Sequence, residues 1–346
     1  MELSVADDLL IHQLAEPFSS VSENAGSWFD RFYFNLYPDG PGPTVVIGGS
    51  RYPNVDMMDG YVCVVVGGEQ RNVRFAEPIG RASHVQSIGP LAWDVRVPLA
   101  EWSLAFSTPD AGISLDVVWT ALTTPHAVDP IQVHHGDGHP TRFAHFFQPG
   151  SFRGDLTVDG HRYDVGGWHG MRDRSWGVRR TRERLGLHLW GGAIMRDHTV
   201  AVLYNEDRAG TPVHIEGVRM WHDGKASETV SRVEHDLEFD DSDEFHRGLV
   251  RVTLDSGEVL DVEWEGIERG LYMAGAGYDG WHGRPREKSH LEIETWPLDG
   301  SVSPRNLSLG LVNKLCRCRI GSVSSYGVFE VAASRSATYT YRPTLK

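Results

Sequence analysis

Trp168-His169-Gly170-Met171-Arg172-Asp173-Arg174-Ser175-Trp176-Gly177-Val178-Arg179 sets two tryptophans, an aspartate and three arginines in a frame of glycines. Glycine admits bulged or left-handed backbone and lets other groups come close. Tryptophan brings a large apolar area with one donor to satisfy. An aspartate among such residues either pairs with a neighbouring arginine or carries a proton. The stretch therefore reads as a constrained, partly buried polar cluster at the middle of the chain.

Working outward, the pattern on both sides is that of strands. Upstream, Gly154–Val158 and His161–Val165 flank Asp159-Gly160, a dipeptide suited to the tight turn of a hairpin. Before them, Phe143, His145 and Phe147 alternate with Phe146, so His145 shares a face with two aromatics. Such a histidine is either a hydrogen-bonded core residue or a catalyst. Downstream, Leu185–Met195 and Thr199–Tyr204 flank Arg196-Asp197-His198, with His188 and Trp190 on one face and Leu187 and Leu189 on the other.

The same period of two recurs at Phe32–Leu36, Tyr61–Val66, Trp102–Phe106 and Ile113–Ala121, and again from Val213 through His290–Trp296 and Cys316–Ile320 to a last strand near Thr338–Tyr341. Only Ala6–Ala15, ended by Pro17, has the look of a helix. Many short strands at even spacing predict an all-β chain of barrels or sandwiches. The polar Asn205–Pro212 stretch is the expected seam, dividing an N-terminal unit over 20–208, which carries the Trp-Asp-Trp motif, from a C-terminal unit over 209–346. The acidic run Glu238–Glu244 is expected to be a solvated loop.

Across 346 residues the formal net charge is -14, which argues against nucleic acid and anionic membrane as partners. No apolar run approaches the ~20 residues of a membrane helix, and the N-terminus has no cationic-then-apolar signal, so a cytoplasmic protein is expected. Cys63, Cys316 and Cys318 make no disulfide framework. Cys316-Arg317-Cys318 puts two thiols on one strand face, as core residues or as a metal or redox pair. His134, His135 and His139 with Asp137 form either a glycine-rich solvated loop or a zinc site of unfamiliar spacing. Phosphate loops, dinucleotide fingerprints, nucleophile elbows and His-Glu-x-x-His are all missing. What remains suits proton-transfer chemistry on an apolar small molecule, with no cofactor and no metal.

His145-Phe146-Phe147-Gln148, the Gly154-x-Leu156 strand, the Asp-Gly hairpin and Gly170-x-x-Asp173-x-x-Trp176-Gly177, followed by the Trp-bearing His188–Trp190 strand and a late Gly327-x-Phe329-Glu330, together resemble the AttH and carotenoid-hydratase group of lipocalin-like proteins. The resemblance implies two lipocalin-like, calycin-type units side by side with few short helices, and a hydrophobic ligand between or within them; a homodimer is left open. It also implies hydration, isomerisation or cyclisation of a double bond in an isoprenoid- or polyketide-like molecule. Asp173 then protonates the alkene from an apolar surround, and His145 positions or deprotonates water. Trp168, Trp176 and Trp190 face the cation, and His188 joins the pocket. Phe147 and Met171 stand where the group has aromatics, with Arg172 beside the acid. Two other readings stay open: a carrier without chemistry, with Asp173 locked in an arginine network, and a Diels–Alder pericyclase that works by shape.

Overall fold

The computed structural model describes residues 21, 25–80, 86–127, 130–133, 141–178, 185–335 and 338–345. The Ala6–Ala15 helix, the cluster of His134, His135, Asp137 and His139, and Arg179 lie outside them. Strands make up about 63% of the chain, and among the described residues the only helical turns are two three-residue 3-10 segments. Beginning with the central motif, His169–Val178 pairs antiparallel with Trp28–Leu36 on one side and with the long strand Thr141–Val158 on the other. In chain order these are β13, β1 and β11.

Between them run β2 (Thr44–Tyr52), β3 (Met57–Val66), β4 (Glu69–Glu77), β5 (Ser87–Ile88), β6 (Leu91–Val97), β7 (Glu101–Thr108), β8 (Ile113–Ala121), β9 (His126–Ala127), β10 (Ile131–Val133) and β12 (His161–Asp164). After β13 come β14 (Leu185–Ile194), β15 (His198–Asp207), β16 (Pro212–Trp221), β17 (Glu228–Phe239), β18 (Phe245–Leu254), β19 (Val259–Gly266), β20 (His290–Pro297), β21 (Val312–Ile320) and β22 (Val323–Ala333).

Among the described residues these make a 14-stranded curled sheet and one closed eight-stranded barrel, β14 to β19 with β21 and β22. The sheet runs β20-β4-β3-β2-β1-β13-β11-β8-β7-β6-β5, so β20 leaves the barrel's stretch of chain to cap the sheet edge on β4. The chain is thus all-β, with a lipocalin-like barrel beside a half-barrel. No helix among the described residues is long and apolar enough to cross a membrane.

Alternation along the strands sorts side chains into three cores. Phe32, Phe34, Leu36, Trp102, Trp119 and Phe152 fill the hollow of the curled sheet. Leu187, Leu189, Val252, Trp264 and Phe329 fill the barrel, where Trp264 stacks on Phe329 with centroids 4.7 Å apart. Phe29, Tyr33, Phe147 and Met171 from the sheet meet Trp190, Leu203, Val218 and Met220 from the barrel's outer wall in a seam between the two. Each such large apolar side chain contributes roughly 1.5–3 kcal/mol on full burial. The seam is what fixes sheet against barrel.

Three expectations need correction or refinement. Thr338–Tyr341 forms no strand; the Tyr341 hydroxyl donates or accepts at His235 Nδ1 and takes the Leu237 amide, plugging the barrel end. The acidic run is not wholly solvated, because Glu244 is buried and receives Tyr272 Oη at 2.8 Å, the Gly270 amide at 3.1 Å, Arg269 at 3.2 Å and Lys314. Cys316 and Cys318 are both barrel-core thiols, and burial pushes Cys318 up to about 12.

β11 pairs with β13 as far as Ser151 and with β8 from Gly150 onward; within that second half, at Gly154, φ is +120° and an added Cβ would lie 2.1 Å from the Asp116 carbonyl oxygen. Gly154→Ala therefore combines a backbone angle that L-residues avoid with a main-chain clash. It is expected to cost about 2–3 kcal/mol, measured by urea unfolding.

Candidate active site

β1, β13 and β11 lie side by side in register Tyr33↔Asp173↔Phe147 and Arg31↔Ser175↔His145. With a period of two, Arg31, Tyr33, His145, Asp173 and Ser175 all project from the same face of the sheet, toward the barrel. The outer wall of the barrel answers with His188 and Trp190 on β14, Leu203 on β15 and Glu330 on β22, and Tyr278 enters from the segment between β19 and β20. These ten residues line one cavity of about 450 Å³, open solvent at its edge included. The site is at the seam, inside neither the barrel nor the curl of the sheet.

Two histidine–carboxylate pairs are built into its walls. His145 Nδ1 lies 3.1 Å from both oxygens of Glu216 on β16, whose side chain is fully buried. That contact fixes the ring and assigns the Nδ1 proton, leaving Nε2 toward the cavity, 3.9 Å from Asp173 Oδ2. The separation is too long for a hydrogen bond but lets both groups reach one substrate atom. Burial alone would push the Glu216 carboxyl up; His145 and His214 overcome it by charge and hydrogen bonding and hold it at about 2.

In the second pair, His188 Nε2 lies 2.7 Å from Glu330 Oε1 and its Nδ1 2.8 Å from Asn205 Oδ1. Asn313 ties the other Glu330 oxygen, at 2.8 Å, to Tyr33, whose hydroxyl donates to Asn313 Oδ1 at 2.6 Å. Burial, with the charge of Glu330, drives the Tyr33 phenol well above its ordinary range. Tyr33 is therefore a neutral donor, never a phenolate.

The structure brings together Asp173, His145, His188 and Trp190 from the residues singled out in the sequence. Phe147 and Met171 are on the same face but pack below the cavity: Phe147 lies 5.7 Å from the His145 ring, and Met171 fills the space left by Gly192. Arg172, Trp168 and Trp176 do not line it. Arg172 points into the other core, its guanidinium 4.8 Å from the Trp119 ring and 5.2 Å from Trp102, with Nε on Gln148. Trp168 is part of that core too, and Trp176 is 40% exposed. All three fall on the opposite parity from Asp173, and alternation turns them away. Arg174 joins Asp30 at 2.6 Å, also away from the acid. The chamber is accordingly not the indole-walled apolar one expected. Trp190 is the single tryptophan in a wall that otherwise mixes a guanidinium, two phenols, two imidazoles and two carboxylates.

Arg31, Tyr33, Tyr278 and Glu216 escape a reading of the sequence. Arg31 and Tyr33 carry a signal of sorts, since they alternate with Phe32 and Phe34, yet nothing local ties them to residues 140 positions on. Among the described residues no group of three His, Cys, Asp or Glu side chains is disposed to hold a metal.

Solved structures share this course of chain. An AttH-like protein of Nitrosomonas europaea matches with a TM-score of 0.59 at 11% identity, over 88% of this chain and 92% of that one. Kievitone hydratase from Nectria haematococca matches at 0.56 and 12%, over 93% and 94%. CghA in complex with Sch210972 matches at 0.53 and 10%, over 89% of each. These likenesses show the fold, that of the lipocalin-like AttH group. No curated protein matches the sequence. A family model described as "Family of unknown function (DUF8625)" matches residues 3–339, nearly the whole length, and the chain therefore belongs to that family.

Proposed function

We propose that the chain is a cofactor-independent acid/base enzyme acting on a double bond of a small isoprenoid- or polyketide-like molecule in the seam cavity, by hydration, isomerisation or cyclisation. The observation that carries this is the meeting of Asp173 and His145 in one cavity, with the far nitrogen of His145 held by a buried carboxylate. In the hydration form, Asp173 delivers its proton to one carbon of the double bond and a water oxygen bonds to the other. His145 Nε2 takes the surplus proton from that oxygen and returns it to Asp173 to complete the cycle. In the isomerisation form, His145 removes a proton from a neighbouring carbon and no water is consumed. Trp190 offers its ring face to the cation formed in between. His188, Glu330 and Tyr33 are bound to one another directly or through Asn313, with Asn205 on His188, while Arg31, Ser175 and Tyr278 add polar groups to the cavity wall, which suits a substrate that carries oxygen as well as hydrocarbon.

A hydratase and a protein crystallised with a small molecule share the fold, which supports a small organic ligand here. The three free thiols suit a reducing cytoplasm. Small molecules that co-purify with the full chain, extracted and followed by mass spectrometry during incubation with fresh protein, test the reading. Gain of one water, or an unchanged mass with a new retention time, is the expected result. A molecule held tightly but recovered unchanged would make the chain a carrier.

A further inference from the structure

We propose that Arg31 binds an anionic oxygen, carboxylate or phenolate, of the molecule on which Asp173 and His145 act; the inference rests on the cavity assigned above. The guanidinium carbon of Arg31 lies 4.9 Å from the Phe29 ring centroid and 5.2 Å from that of Tyr278, so its stem and fork are packed between two aromatic rings. It lines the cavity, and its buried Nε has no hydrogen-bond partner. Among the described residues no carboxylate forms an ion pair with it.

The nearby acids are already engaged. Glu216 is held by His145 and His214, and Glu330 by His188 and Asn313. Asp59, which acts on Arg31 through space, has its oxygens on His282 Nδ1 at 3.0 Å and the Gly283 amide at 2.7 Å. Burial disfavours the Arg31 charge, but the surrounding phenols of Tyr278, Tyr52 and Tyr61 and the more distant Asp59 carboxylate outweigh it and hold the guanidinium charged without a direct ion pair. Tyr52 is a hydrogen-bonding neighbour of this guanidinium, and the remaining donors of a planar fork suit the two oxygens of a carboxylate or the single oxygen of a phenolate. Tyr278 adds to the same corner. Its hydroxyl shares a proton with Tyr61 at 3.0 Å, so Tyr61 can donate to Tyr278 while Tyr278 donates to the ligand. This places the polar head of the substrate at β1 and its double bond at the Asp173–His145 end.

Binding of 4-nitrobenzoate, 4-nitrophenolate and uncharged 4-nitrobenzyl alcohol to the full chain, measured by equilibrium dialysis, tests the assignment without needing turnover. At least one anion is expected to bind about tenfold or more tightly than the alcohol, and which anion wins identifies the head group. Arg31→Met should erase the gap, and Arg31→Lys, which keeps charge but loses the fork, should shrink it. Asp173→Asn should leave the gap in place, so a catalytic failure there does not touch this proposal. Equal binding of all three probes, or no binding of any, to the wild-type chain overturns it whether or not the variants fold. So does an anion preference that persists in folded Arg31→Met.

Discussion

Asparagine at position 173 is expected to cut kcat by about 10²–10⁴-fold, with KM changed little and the thermal midpoint within a few degrees of the wild type. Asp173 is central in the sheet, flanked by Tyr33 on β1 and Phe147 on β11, and its side chain is 20% exposed at the cavity wall. The exchange to asparagine keeps shape and an acceptor oxygen, so packing is preserved. It removes the one feature that general acid catalysis requires, a proton that can leave for carbon. That proton moves only as the cation forms, so its loss weakens the transition state and not the ground-state complex. Steady-state kinetics on the converted substrate, with a circular-dichroism melt alongside, provide the check. Activity within threefold of the wild type would remove Asp173 from the chemistry and leave shape as the source of rate, as in a pericyclase.

What could be read from the chain beforehand follows the reach of each physical signal. Period-two alternation and Asp-Gly turns are local, and they sufficed for the all-β class and for the hairpin of β11 and β12. In the sequence only the resemblance to the AttH and carotenoid-hydratase group pairs Asp173 with His145; that β11 and β13 are neighbours whose register turns both to one face is a long-range fact of the sheet. The same parity argument, pursued further, separates Trp168, Arg172 and Trp176 from Asp173; a count of tryptophans near the motif does not.

The rest depends on contacts that no local pattern encodes. Arg31 reaches the site through pairing of β1 with β13, and Glu216 through packing of the barrel wall against the sheet. Tyr278 comes from a segment without strand periodicity. Glu244 looks solvated in an acidic run, yet Lys314, Arg269 and Tyr272 converge on it from distant parts of the chain. In each case the deciding partner is far away in sequence.

Glu216→Gln should flatten the acid limb of the stability profile by about 3 kcal/mol, because this carboxylate couples sheet, barrel and catalytic histidine. Its folded value of about 2 lies below the ordinary carboxyl value of 4.5 that the unfolded chain would show. A depressed folded value means the unfolded state takes up protons first as pH falls. The stabilisation is therefore fully present above about pH 4.5 and drains away between about 4.5 and 2. A shift of about 2.5 units corresponds to about 3 kcal/mol. Glutamine can still accept from His145 Nδ1 but offers no charge to His145 or His214, so the variant forfeits that amount at neutral pH and gains nothing back on acidification. Urea denaturation of both proteins at intervals from pH 7 to pH 2.5 reads the difference directly. The two curves should converge toward the acid end. If they instead run parallel throughout, Glu216 is not held by charge, and the imidazole it orients must owe its pose to Phe147 packing alone.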